Sequence, residues 1–345
     1  MSFTQYKKRQ KRVHIPQDSS SIPLNVPKNA RVPSAEMRQA IDAVEYFVRD
    51  ILASNQNPKR QWKFLKSHLA ALDEAPVEER GFEWLKARTL LCAFFRKQPN
   101  FVRRFNTKLG KYIYNVEGSD AALAFKMEIR KAMFPFRLSG HGFCTPFSER
   151  DCVDIATQMK TLMSDIERAT GLAVFINSGT LLGARRELGF IAHDDDIDLA
   201  IHLGDAGEIQ AAQKLLEVMN DLEVAGLLAE KSRNKAGMAL IKAKSIDGIE
   251  VDIFPAWSAE RRYYVWPHTY GDIALDDVMP LKDMAMHGVL VAAPAIPDAM
   301  IVQNYGPNWQ DLNDDFRFHW KKARERFQSF FTVWDYTRSE PSDDQ

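Results

Sequence analysis

From Ser34 onward, apolar positions recur at three- and four-residue steps, the spacing that lines one face of a helix. Ser34 can cap a first helix through Met37, Ile41, Val44, Phe47, Val48 and Ile51. A second segment carries Phe64, Leu65, Leu69 and Leu72 and breaks near Pro76, and a third carries Phe82, Leu85, Leu91 and Phe95. Another helix is predicted from about Ala121 to Met133, stopped by Pro135. These pieces share no fixed period, so they do not form a repeat array.

After the SGHGF turn (Ser139 to Phe143) the pattern changes. Ser148 and Asp151 form a capping-box-like start to a helix through Ile155, Met159, Leu162 and Ile166, which Gly171 ends. The apolar run LAVFIN (Leu172 to Asn177) then reads as a buried strand. A helix is expected from Asp205 to Asn220. Beyond it the strand MALIKAKS joins IEVDIF through Asp247-Gly248, a strong hairpin signal. The MPLKDMAMHG and IPDAMIVQNYGPNW segments close the core. Helix followed by strand implies an α/β or α+β platform starting near residue 141. The expected organisation is a flexible basic tail (1–32), a helical accessory region (33–140), a sheet-bearing domain (141–335) and a disordered tail (336–345).

Composition narrows the class without naming a function. The chain has 345 residues, 46 basic and 46 acidic, and is 45% hydrophobic, an ordinary globular balance that gives no argument for nucleic acid. Cys92, Cys144 and Cys152 have no metal-site or disulfide-framework spacing, as expected of reduced thiols in the cytoplasm. No apolar run approaches the ~18 residues of a spanning helix. Lys7, Lys8, Arg9, Lys11 and Arg12 lack an apolar stretch behind them, so they are not a secretory signal. They read first as a solvated tail, and as a peripheral foothold on anionic lipid second. Arg96, Lys97, Arg103, Arg104, Lys108 and Lys111 interleave with Phe95, Phe101 and Phe105. Such a pattern can bind a polyanion, but on a helix it reads first as a solvated face beside a core stripe.

The chemistry concentrates in SGTLLGARRELGFIAHDDDIDLAI, Ser178 to Ile201. If a strand is entered at Asp196, its period of two puts Asp196 and Asp198 on one face and Ile197 and Leu199 on the other. Asp194 and Asp195 then read as loop acids or supporting partners. In Ile249 to Phe254 the same alternation isolates Asp252 between Val251 and Ile253, a costly acid to bury unless paired or metal-bound. Three such carboxylates on neighbouring strands suit Mg²⁺, with Mn²⁺ as an alternative, and repel one another without a cation. Ahead of them, Gly179 and Gly183 flank Thr180 at a strand-to-helix junction, where backbone N–H groups receive phosphate. Ser178 and Thr180 add hydroxyls, and Arg185 and Arg186 add guanidinium groups for phosphate oxygens. His202, His268, His287 and His319 show no ligand spacing and read as structural.

The string GTLLGARRELGFIAHDDDIDLAI resembles the LicD/fukutin-related family, as do the later VDIFP (Val251 to Pro255) and YGPNW (Tyr305 to Trp309) in the same order. The resemblance spans about 170 to 310 and leaves the first 140 residues outside it. It implies an α+β fold: a nucleotidyltransferase-like mixed β-sheet platform with flanking helices, here preceded by a mostly helical region. It implies metal ligands at Asp196 and Asp198, a third carboxylate at Asp252, a glycine turn at Gly179 and Thr180, and the family arginine at Arg186. Arg185 replaces an apolar residue common in the family. Ala192-His193 stands where Pro-Trp or Pro-His is common, and the zinc-binding insertion of animal relatives has no counterpart.

The activity so implied is transfer of phosphocholine or an alditol phosphate (ribitol or glycerol phosphate) from a CDP-activated donor to a glycan hydroxyl, with release of CMP. Such a transferase would serve capsule or lipopolysaccharide synthesis in the cytoplasm, at the inner face of the membrane. Asp252 is the first candidate for general base and His193 the second. Two alternatives stay open: a nucleotidyltransferase that uses an NTP and releases pyrophosphate, and a non-catalytic glycan-assembly partner.

Overall fold

The structure, a computed structural model, describes residues 34–54, 62–140, 142–229, 239–311 and 319–339. The basic tail expected over 1–32 lies outside the described residues. The chain divides into two compact units after Cys144.

The first unit contains helices α1 (Ala35–Ser54), α2 (Trp62–Glu74), α3 (Phe82–Phe94), α4 (Pro99–Glu117) and α5 (Ser119–Met133). A short hairpin follows, β1 (Arg137–Ser139) with β2 (Gly142–Cys144). The Ser34 hydroxyl accepts from the Met37 N–H at 3.3 Å, the cap that the sequence suggests. Val44, Leu65, Leu72, Leu90, Leu91, Val102, Leu109 and Ile129 join in one buried core. The Trp84 indole N–H, buried with them, donates to the Leu72 carbonyl at 2.8 Å. On α4, Val102, Leu109 and Ile113 are buried, while Arg103 and Arg104 are exposed. Arg103 donates to the Ser139 carbonyl, and the Arg96 guanidinium lies 4.3 Å from the Phe136 ring centre. The basic, aromatic-rich stretch is thus a solvated face laid along a core stripe.

The second unit begins with α6 (Cys152–Thr170). Its cap is Asp151, whose carboxylate accepts from the Asp154 N–H at 3.1 Å. Ser148 lies instead in a separate short turn, Phe147–Glu149, so the expected capping box is reduced to one cap. Next come β3 (Val174–Ile176), α7 (Ser178–Glu187), β4 (Asp196–Asp205), α8 (Glu208–Val224), β5 (Ile241–Ile246), β6 (Ile249–Ala259), β7 (Arg262–Val265) and β8 (Thr269–Ala274). They build a six-stranded sheet in the order β3-β4-β6-β7-β8, with β5 also paired to β6. The β4–β6 pair is parallel and the remaining pairs are antiparallel. The unit is completed by the hairpin β9 (Lys282–Met286) and β10 (Val289–Ala293), then α9 (Pro297–Tyr305), α10 (Trp320–Arg326) and α11 (Gln328–Ser339). A mixed sheet with flanking helices, after a helical region, is the α+β architecture expected.

The sequence expectations need revision at two boundaries. Strand β4 runs on to Asp205, where a helix was expected to start, and Asp205 accepts from the Ser258 hydroxyl at 3.2 Å. The core also continues past Trp309: Phe327, Phe330, Phe331 and Trp334 are buried in it. The Trp257 ring stacks between Tyr264 and Phe330, at centroid distances of 5.4 and 5.3 Å. The Glu208 carboxylate accepts from the Phe330 N–H at 3.2 Å and from the Tyr270 hydroxyl, fastening α11 to the start of α8. Helix α11 therefore occupies 336–339, where a disordered tail was expected; 340–345 lie outside the described residues. Among the described residues, no helix is long and apolar enough to cross a membrane.

Candidate active site

Strand β4 enters the sheet at Asp196 with Ile197 and Leu199 fully buried, so Asp196 and Asp198 share the opposite face. The parallel register sets Asp198 beside Asp252 and Asp196 beside Glu250 on β6. The β5–β6 register sets Lys242 beside Asp252. Across the sheet face the order is therefore Asp198, Asp252, Lys242: two acids, then a cation.

The turn from β3 into α7 is fastened to this row. The Gly179 N–H donates to the Asp198 carboxylate at 2.8 Å, and the Asp198 N–H donates to the Thr180 hydroxyl at 2.9 Å. The Asn177 N–H donates to the Asp198 carbonyl at 3.0 Å. A Cβ at Gly179 would lie 3.0 Å from Asp194 Oδ2 and 3.1 Å from Asp198 Oδ2, so both acids converge on the first turn of α7. At Gly183 a Cβ would lie 2.6 Å from the Gly189 carbonyl, so only glycine lets the following loop close against the helix. Ser178 has a φ of 41°, a left-handed conformation that aligns this turn. Its hydroxyl, both polar atoms of the Asn177 amide and the Arg186 Nε are buried without a hydrogen-bond partner among the described residues. Orphaned polar groups of this kind are rare, and those of Asn177 and Ser178, at the start of α7, stand where a helix N-terminus can receive an anion, while Arg186 lies in the last turn of the helix.

Asp194 and Asp195 can each offer one oxygen to a cluster with Asp196 in which the oxygens lie within 4.8 Å of one another. Burial raises the Asp194 carboxyl from 3.8 to about 6, and the charge of Asp198 adds to the rise. Both lie in the loop before β4, as the sequence suggests for loop acids or supporting partners, and there their oxygens gather with that of Asp196.

The other candidates divide. Arg186 is largely buried and donates to Glu187 at 2.9 Å. Arg185 is turned to α9, where Asp298 takes its guanidinium in two bonds of 2.6 and 3.1 Å. His193 sits exposed in the loop before the acids. Tyr305, at the end of α9, was not singled out as a site residue. Burial drives its hydroxyl pKa well above 10, as do the charges of Asp198, Asp194 and Asp196, while Arg186 opposes them. The YGPNW string was the signal that pointed to it. Lys242 was also missed. It is only 5% exposed and donates to Asp252 at 2.6 Å and to Glu250 at 2.7 Å. Burial works to lower its pKa, and the two acids more than reverse this, leaving it raised.

Oxygen donors that repel one another suit a hard divalent cation, so the residues present fit Mg²⁺ or Mn²⁺. No curated protein matches the chain. Residues 171–296, which contain the glycine turn, the acids and Lys242, match the model described as LicD/FKTN/FKRP, nucleotidyltransferase domain. Members of that family generally transfer phosphate-containing groups. The second unit thus carries a LicD/FKTN/FKRP-type nucleotidyltransferase domain over residues 171–296.

Proposed function

We propose that the second unit transfers phosphocholine or an alditol phosphate from a CDP-activated donor to a glycan hydroxyl and releases CMP. The carrying observation is the pair of buried, unclaimed polar side chains of Asn177 and Ser178 at the start of α7, next to the acids that converge on Gly179. Asp196 and Asp198, with Asp194, would hold Mg²⁺ or Mn²⁺, which when bound polarises the donor diphosphate and neutralises its charge. Gly179, Thr180 and the Ser178 hydroxyl form the turn that receives the phosphates, with the helix start behind them. Arg186 counters the charge that spreads over the transferred group. The acceptor oxygen forms the new bond to the distal phosphorus as the bond to the CMP phosphate breaks. Asp252 takes the acceptor proton, and His193, exposed in the adjoining loop, is the alternative base. Arg185, engaged by Asp298, serves the phosphate only if that pair opens. Cys92, Cys144 and Cys152 form no disulfide among the described residues, which suits the reducing cytoplasm, where such a donor would be used.

The test is CMP release from CDP-choline, CDP-ribitol or CDP-glycerol with a glycan acceptor and Mg²⁺. Asp198→Asn should lower it by more than about 100-fold, beyond the 10–100-fold typical of residues that only support a ligand. Full activity in Asp198→Asn would sink the assignment of the metal site. Pyrophosphate from an NTP, in place of CMP, would identify a nucleotidyl transfer instead.

A further inference from the structure

We propose that Lys242 takes the place of a second metal ion and makes this a one-metal site. The inference rests on the metal-dependent reading above. Repulsion among Asp194, Asp195, Asp196, Asp198, Asp252 and Glu250 has to be offset, and the sheet does so at two separate places. At the β4 end, Asp194, Asp195 and Asp196 gather oxygens, and Asp198 meets Asp194 at the first turn of α7, so that a cation can be held there. At the β5 end the cation is built in: the Lys242 side chain, 6% exposed, bridges Glu250 and Asp252 at 2.7 and 2.6 Å.

Asp252 stands next to Asp198 in the ladder, where a carboxylate could otherwise be shared between two ions. Its Oδ1 is committed to the ammonium instead. A short ionic bond in a buried place is not surrendered without replacement, because an unpaired buried charge is costly. Lys242 is therefore a positioning residue. It satisfies Asp252 and Glu250, keeps Asp252 out of the metal's ligand set and leaves room for one divalent ion.

The experiment is Mn²⁺ titration of the full chain after chelator treatment, read by calorimetry and by the magnetic resonance signal of free Mn²⁺. Wild type should bind one Mn²⁺, and Lys242→Met should bind two, with Glu250 and Asp252 released to hold the second. Lys242→Arg keeps a cation in place and should return to one. Should Lys242→Met fail to fold, Asp252→Asn in the wild-type background decides. One Mn²⁺ with affinity changed less than about threefold supports the inference, whereas a loss of tenfold or more makes Asp252 a ligand and overturns it. Two Mn²⁺ on wild type, or a folded Lys242→Met that still binds one, overturns it while leaving metal dependence intact. No Mn²⁺ on folded wild type overturns both this inference and the metal-dependent reading.

Discussion

Asp194→Asn tests the electrostatic account of the site without any substrate. The Asp194 carboxyl is held at about 6 instead of 3.8, first by burial and then by the charge of Asp198. A rise of about two units corresponds to about 3 kcal/mol at 1.36 kcal/mol per unit. Between the two values the folded chain binds more protons than the unfolded chain, so stability falls as pH rises. The stability tied to the proton is complete below the unfolded value and lost above about 6. An asparagine carries no charge to repel, and its Oδ1 can still accept from the Asp195 N–H, as Asp194 does at 3.1 Å. Metal-free Asp194→Asn should therefore be more stable than wild type by up to about 3 kcal/mol near pH 7.5, and nearly equal to it near pH 4. Urea unfolding in EDTA at the two pH values measures this difference. Added Mg²⁺ should stabilise wild type more than the variant, since the ion relieves a repulsion that the variant lacks. A variant no more stable than wild type near pH 7.5, or an advantage that persists on acidification, would refute the reasoning.

Two further substitutions separate the site from the fold. Gly179→Ala places a methyl group 3.0–3.1 Å from the Asp194 and Asp198 oxygens, which must then give by a few tenths of an ångström. Metal-free stability should change by less than about 1 kcal/mol, because alanine favours the helix that the methyl crowds. Mn²⁺ affinity should fall by about 10-fold or more, and an unchanged titration would show that the acids do not converge on this turn. Phe330→Ala removes a fully buried ring that stacks on Trp257. Urea unfolding should report a loss of about 3–5 kcal/mol, and a loss below about 1 kcal/mol would mean that α11 lies outside the core.

The strand alternation at Asp196 and Asp198 was readable because Ile197 and Leu199 had to be buried, and burial of one face decides the direction of the other. The hairpin at Asp247-Gly248 was readable from its turn chemistry. The buried ring set Phe327, Phe330, Phe331 and Trp334 has helical spacing and was available to the same reasoning, which stopped too early at Trp309. Lys242 is different in kind. Ile246 pairs with Ile249 at the turn, and an unbroken ladder from there would set Lys242 opposite Ile253, on the apolar face. The register shifts between Ala243 and Ile246, so Lys242 falls opposite Asp252 instead. A shift of one residue exchanges the faces of every position beyond it. It turns a lysine that would have been buried among apolar side chains into the partner of two acids. Nothing local in the stretch from Ile241 to Ile246 announces that shift. The pairing of Lys242 with Asp252 and Glu250 that accompanies the shift exists only once β5 and β6 have met.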